Sequence, residues 1–272
     1  MEEVFSINSQ LVTIETYLHR IAYTGSLAPN LFNLNHLHLA HQQTVPFENL
    51  DIILGRRIDL KLPTILDKIV NKNRGGFCYE LNSAFAWLLD KIGFKVKLLS
   101  ARTYDGETLG PEFDHMLILV NLDQPVIADV GFGDSFLLPI IPGGADCYQF
   151  DRYYRLQNNE GRWVLQQRFE AGDWKSQYIF VMKSHPLHHF DAMCDYHQTS
   201  QSSSFTRKTV CSRVTESGRI TYADGRYIVN EQDNREETMV GNEVSLNKIL
   251  RNQFGIRFGA NDLRQLVATS PG

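Results

Sequence analysis

The hydrophobic period of this chain changes once, near Phe94, and that change limits the fold more than any other feature of its 272 residues. Before it, Leu11, Ile14, Tyr17, Leu18 and Ile21 recur at helical spacing, and His36 to His41 reads as a second short helix. Pro46 and Pro63 interrupt the region, so the expectation is a bundle of short helices. The strongest helix follows Arg74-Gly75-Gly76-Phe77-Cys78. Its apolar stripe is Leu81, Phe85, Leu88, Leu89 and Ile92, and Gly93 is its natural stop. The paired glycines read as freedom for a sharp turn, which puts Cys78 in the first helical turn.

Beyond Phe94 the apolar runs become short and rich in β-branched and aromatic residues. Lys95 to Ser100, His115 to Val120, Pro125 to Val130, Tyr153 to Leu156, Trp163 to Phe169 and Tyr178 to Met182 read as strands of an antiparallel sheet or small barrel. Residues 183–204, with Pro186 and a Ser-rich stretch, read as a connector. Strand-like residues 207–230 and an amphipathic helix carrying Val244, Leu246, Ile249, Leu250 and Phe254 complete the chain. Helices, then strands, then a mixed unit predict an α+β fold, divided into 1–93, 94–204 and 205–272.

Composition narrows the function. At 43% hydrophobic residues and a net charge of -4, a packed core is expected and a general affinity for nucleic acid or anionic membranes is not. No run approaches the roughly 20 apolar residues that span a bilayer, and Met1 to Phe5 lacks the basic and apolar regions of a secretory signal. Cys78, Cys147, Cys194 and Cys211 form no Cys-x-x-Cys pair, so zinc-ribbon chemistry is not expected. Reduced thiols fit a cytoplasmic location.

Cys78 is the candidate nucleophile, because a helix start lowers a thiol's pKa and a thiolate is the reactive form. Iodoacetamide is therefore expected to modify it first. A base and a group that orients the base are also needed. Leu122 lies midway between His115 and Asp129, so a hairpin centred there sets the two opposite each other on one face. A one-residue slip of register would separate them, so the spacing allows the pair without requiring it. Glu48 and Arg74 read as a buried ion pair holding the bundle against the Cys78 loop. The histidine clusters 36/38/41 and 185/188/189 read as packed or solvated helix faces, and no metal site is expected.

Three segments carry a resemblance: Val45-Pro46-Phe47-Glu48-Asn49-Leu50, Arg74-Gly75-Gly76-Phe77-Cys78-Tyr79-Glu80-Leu81-Asn82 and Asp129-Val130-Gly131-Phe132-Gly133. Ser204-Phe205-Thr206, Cys211-Ser212 and a C-terminal helix ending in Phe254-Gly255-Ile256 extend it over residues of about 11 to 260. With these, the chain resembles the bacterial arylamine N-acetyltransferases. The resemblance implies an N-terminal helical bundle, a central antiparallel β-barrel and a C-terminal α/β lid. A papain-like triad of Cys78, His115 and Asp129 would lie between the first two.

It also implies ping-pong transfer from acetyl-CoA, through an acetyl-cysteine, to arylamines, arylhydrazines or N-hydroxyarylamines, with no metal. Phe47 and Phe205 match aromatic residues of the acceptor pocket and Phe132 is expected beside them. Gly131 and Gly133 would let CoA approach the backbone. Rival classes are a papain-like protease or transglutaminase, which would act on amides instead of acetyl-CoA, and a binding protein on the same scaffold. A relative acting on one biosynthetic amine would differ only in its acceptor.

Overall fold

The computed structural model describes residues 11–231 and 234–269; the signal-peptide reading of Met1 to Phe5 lies outside them. In chain order the elements begin with α1 (Ile14–Arg20), α2 (Leu31–Thr44), β1 (Phe47–Glu48), α3 (Leu50–Ile53), α4 (Leu62–Leu66) and α5 (Cys78–Ile92). Strands β2 (Lys95–Asp105), β3 (Thr108–Leu109), β4 (His115–Asn121), β5 (Pro125–Ala128), β6 (Cys147–Gln149), β7 (Arg152–Asn159), β8 (Arg162–Phe169) and β9 (Lys175–Ser184) follow. The remainder is α6 (Asp191–Thr199), α7 (Ser204–Arg207), β10 (Val210–Val214), β11 (Gly218–Ala223), β12 (Arg226–Glu231), β13 (Asn234–Met239), α8 (Glu243–Phe254) and α9 (Ala260–Ala268). The fold is α+β, as the change of period predicts.

Helix α5 is the central element. Leu81, Phe85, Leu88 and Leu89 are fully buried on it, each such side chain contributing about 1.5–3 kcal/mol of transfer free energy. Gly93 ends it in a left-handed conformation at φ 109, as its sequence suggests. The residues from 31 to 44 form one 14-residue helix, longer than the short helix read from His36 to His41. Its Asn30 side chain accepts the Asn33 N–H and so fixes its start upstream of the histidines.

The larger sheet runs β5-β4-β2-β9-β8-β7-β6, with β3 paired to β2. All its pairings are antiparallel. Strands β5 and β6 are its two ends, so it is a curled half-barrel instead of the closed barrel that the resemblance implies. The connector carries a helix, α6, over its middle, because Met193, Cys194 and Phe190 give it an apolar side against the α5 core. In α8, Leu246, Leu250 and Phe254 are buried, whereas Val244 is 79% exposed and belongs to no stripe.

The second sheet, β1-β10-β11-β12-β13, crosses the boundary expected from sequence. Strand β1 comes from the N-terminal helical region, yet Phe47 pairs with Ser212 and Glu48 with Cys211. Asn49 reinforces the junction: its Nδ2 donates to the carbonyls of Phe205 and Lys208, and its Oδ1 accepts the Val210 N–H.

A buried ionic cluster sits behind this junction. Arg74 lies 2.7 Å from Glu48 and 3.0 Å from Asp51, and Lys68 lies 2.8 Å from both Asp51 and Glu80. The Glu48–Arg74 pair read from sequence is present and is one part of this larger set. The Arg74 guanidinium also packs 4.5 Å from the centre of the Phe258 ring. Burial opposes the Asp51 charge, but Lys68 and Arg74 outweigh it and hold the carboxyl below its usual range. Glu80 goes the other way, with burial outweighing Lys68. Removing one member of such a set leaves an uncompensated charge in the interior. Arg74→Ala should cost about 3–5 kcal/mol, read as a lower midpoint in urea unfolding.

Candidate active site

Cys78 opens α5 at a point where two chain segments touch without side chains between them. A Cβ on Gly75 would collide with the Pro46 carbonyl oxygen, and one on Gly76 would meet the Glu80 carboxylate at 2.6 Å. Gly76 bridges to Phe47 in parallel and its carbonyl accepts the Glu48 N–H at 2.9 Å. Neither glycine has a positive φ. Close approach, of Gly75 to the chain at β1 and of Gly76 to the Glu80 side chain, is what requires them, not freedom to turn. At the third helical position Glu80 accepts the Phe77 N–H at 3.2 Å while its other oxygen holds Lys68, which fixes the first turn.

The His115–Asp129 pair is present. His115 Nε2 lies 2.7 Å from Asp129 Oδ2, with both side chains buried. Asp129 Oδ1 accepts Nδ2 of Asn82 and the N–H of Gly131, each at 2.9 Å. Burial would raise the Asp129 carboxyl, but His115, Asn82 and Gly131 together hold it below its usual range. The register differs from the one read in sequence. Ile118 pairs with Ala128 and Asn121 with Pro125, so the hairpin centres on Asp123 instead of Leu122. Moving the centre by one residue moves each partner by two, which keeps side chains on the same face. The ladder stops at Ala128, and Asp129 reaches His115 from beyond the strand end.

Asn82, one turn along α5 from Cys78, carries this geometry. Its Nδ2 also donates to the Met116 carbonyl at 2.6 Å, and its Oδ1 accepts the Val130 N–H. His38 supports Asp129 from the far side: its Nε2 accepts the Asp129 N–H at 3.0 Å and its Nδ1 donates to the Leu137 carbonyl. Burial brings His38 down to about 4, which keeps it the neutral acceptor this bond needs. Both residues stood in segments noted from sequence without a role. The four-residue spacing from Cys78 was the available signal for Asn82; His38 left none, because its partner lies 91 positions away.

The Cys78 thiol meets the backbone at Met116, next to His115. Burial pushes it well up, and the Asp129 and Asp114 charges push the same way. The resting thiol is therefore not lowered as the helix start alone suggests, because removing a thiolate from water outweighs the helix field. A proton acceptor at hand becomes a requirement. With Nε2 committed to Asp129, Nδ1 of His115 is the ring nitrogen left for that task.

The aromatic residues divide into two walls. The Phe205 ring lies tilted 6.2 Å from that of Phe47 and edge-on 5.8 Å from that of Phe77. Phe132 contacts His115 at 5.0 Å and Tyr178 at 5.1 Å. Phe47, Phe132 and Phe205 are each half-buried. Gly133, at φ 85, would place a Cβ 3.6 Å from the Phe47 ring, which joins the walls. A Cβ on Gly131 would sit 2.8 Å from the Cys78 Cα, so its first constraint is packing on the helix start. His38 and His41 are buried in the core, and among the described residues no group of three or more His, Cys, Asp or Glu could hold a metal ion.

A buried cysteine at a helix start, a carboxylate-held imidazole and half-buried aromatic rings form an arrangement that suits a group-transfer enzyme. A family model described as N-acetyltransferase matches residues 30–263. Human arylamine N-acetyltransferase 1 is 33% identical over 273 residues, covering 89% of this chain and 93% of its own. The arylamine N-acetyltransferase / N-hydroxyarylamine O-acetyltransferase of Salmonella typhimurium is 31% identical, covering 92% and 90%. The solved arylamine N-acetyltransferase from Salmonella typhimurium superposes with a TM-score of 0.87 at 29% identity, covering 94% of this chain and 97% of its own. The Mycobacterium marinum arylamine N-acetyltransferase in complex with CoA gives 0.84 at 26%, covering 94% and 98%. The chain belongs to the arylamine N-acetyltransferase family and is an acetyltransferase.

Asn82→Ala removes a hydrogen bond to a buried carboxylate, an interaction worth about 1.5–3 kcal/mol. The acetyl-transfer rate should fall roughly tenfold to a hundredfold, measured by steady-state assay at matched protein folding.

Proposed function

We propose that the enzyme transfers acetyl groups from acetyl-CoA to small aromatic amines or hydrazines by a ping-pong route through Cys78. The observation that carries this is the buried 2.7 Å contact between His115 and Asp129, anchored by Asn82 to the helix that Cys78 begins. His115 takes the proton from the Cys78 thiol, and the thiolate attacks the acetyl carbonyl of the donor. The tetrahedral oxyanion faces backbone amides at the start of α5. Its collapse expels the CoA thiolate, which takes up the proton from the imidazolium and leaves an acetyl-cysteine. An arylamine nitrogen then attacks this thioester, its proton passes to His115, and Cys78 departs as thiolate.

Phe47, Phe132 and Phe205 form the acceptor pocket in this reading, since half-buried ring faces suit a flat aromatic amine. Gly131 and Gly133 keep the backbone open to CoA beside Phe132. The units 1–93, 94–204 and 205–272 act as bundle, half-barrel and lid, in a cytoplasmic protein that uses no metal. No helix among the described residues is long and apolar enough to cross a membrane.

Intact-protein mass spectrometry after brief mixing with acetyl-CoA and no acceptor tests the route. One acetyl group on Cys78, discharged by an aniline or hydrazine, is the expected result. An unmodified protein whose Cys78 still alkylates would refute it. Cys78→Ala should abolish transfer and leave the fold intact, as checked by circular dichroism. Asp129→Asn should retain Cys78 but slow its acetylation by about 10⁴-fold, because the imidazole loses its orienting charge; stopped-flow release of free CoA measures this.

A further inference from the structure

A second imidazole–carboxylate pair stands beside the first, outside the acyl-transfer chemistry. Asp114 immediately precedes His115, the first residue of β4, and the two side chains meet different partners. His115 meets Asp129, whereas Asp114 accepts a short hydrogen bond from Thr103 Oγ1 and lies 3.2 Å from Nε2 of His197 on α6. Both members are largely buried, with side chains 8% and 12% exposed. Burial would raise the Asp114 carboxyl, but His197, Thr103 and His115 bring it below its usual range, so it stays charged.

The other face of His197 leads to the acceptor wall. Its Nδ1 lies 3.2 Å from Ser203 Oγ, and the same Oγ accepts the Phe205 N–H at 3.2 Å as the N-cap of α7. Nδ1 and the Ser203 hydroxyl are hydrogen-bonded to each other, which ties the ring to the N-cap of α7. The His197 ring also stands edge-to-face with Phe205, at 5.2 Å and 88°. One histidine therefore reaches Phe205 twice, through its amide and through its ring.

We propose that Asp114 and His197 are positioning residues that set the orientation of Phe205, and so determine which aromatic acceptors the pocket admits. This rests on the reading of Phe205 as part of the acceptor wall. The device spans three parts of the chain: the bend before β4, the connector helix α6, and the first turn of α7. It fixes the pocket wall relative to His115.

The two half-reactions separate the possibilities. Acetylation of Cys78 by acetyl-CoA alone, and KM for a simple aniline, are measured in the wild type, His197→Gln, Ser203→Ala and Ser203→Thr. Loss of one buried hydrogen bond should raise the acceptor KM about tenfold in His197→Gln and Ser203→Ala. The acetylation rate should be unchanged, and Ser203→Thr, which keeps the hydroxyl, should restore the wild-type KM. If His197→Gln does not fold, the Ser203 variants decide. An unchanged acceptor KM, or acetylation falling in step with acceptor turnover, would overturn the proposal. A wild type that forms no acetyl-Cys78 would overturn the thioester reading itself, a result distinct from either.

Discussion

The site depends on keeping one negative charge, that of Asp129, in a place without water. A bare carboxylate in the interior would take up a proton or pull the fold apart. Here its two oxygens are divided among an imidazole, an amide side chain and a backbone N–H, and its own N–H is held by His38. The partners come from α2, α5, β4 and the segment after β5. Each of those elements is therefore tied to this carboxylate as well as held by apolar packing. The charge organises the surrounding structure and, in the proposed route, directs the imidazole.

The elements that sequence reading found are those with a local cause. The α5 stripe with its Gly93 stop, and the β2 and β4 runs, each announce themselves within a few residues. What it missed is non-local. Nothing near Phe47 says that a two-residue strand will pair with residues near 212. The helix in the connector was not read because its apolar side is short and interrupted by polar residues, and the α5 core gives that side a partner.

The same distinction runs through the site. Cys78, His115 and Asp129 are legible as residue types at suggestive spacing, and their motifs fix the family. The hairpin centre was misplaced by one residue, yet the pair survives because the error preserved the face. The state of the thiol was misjudged for a deeper reason. A helix start is visible in sequence, but the burial that outweighs it is a property of the whole fold.

Strand β1 has a further consequence, in time instead of space. Its partner strand begins at Val210, so a chain emerging from the ribosome makes the helix bearing Cys78 long before the strand that completes the neighbouring sheet exists. Closing so long a loop is slow compared with forming local helices. Until β10 arrives, Phe47 lacks its pairing partner and the Gly75–Gly76 contact rests on an unfinished edge. The nascent chain can form α5 early, but the contacts that β10 and Phe205 bring to Phe47 are assembled among the last parts.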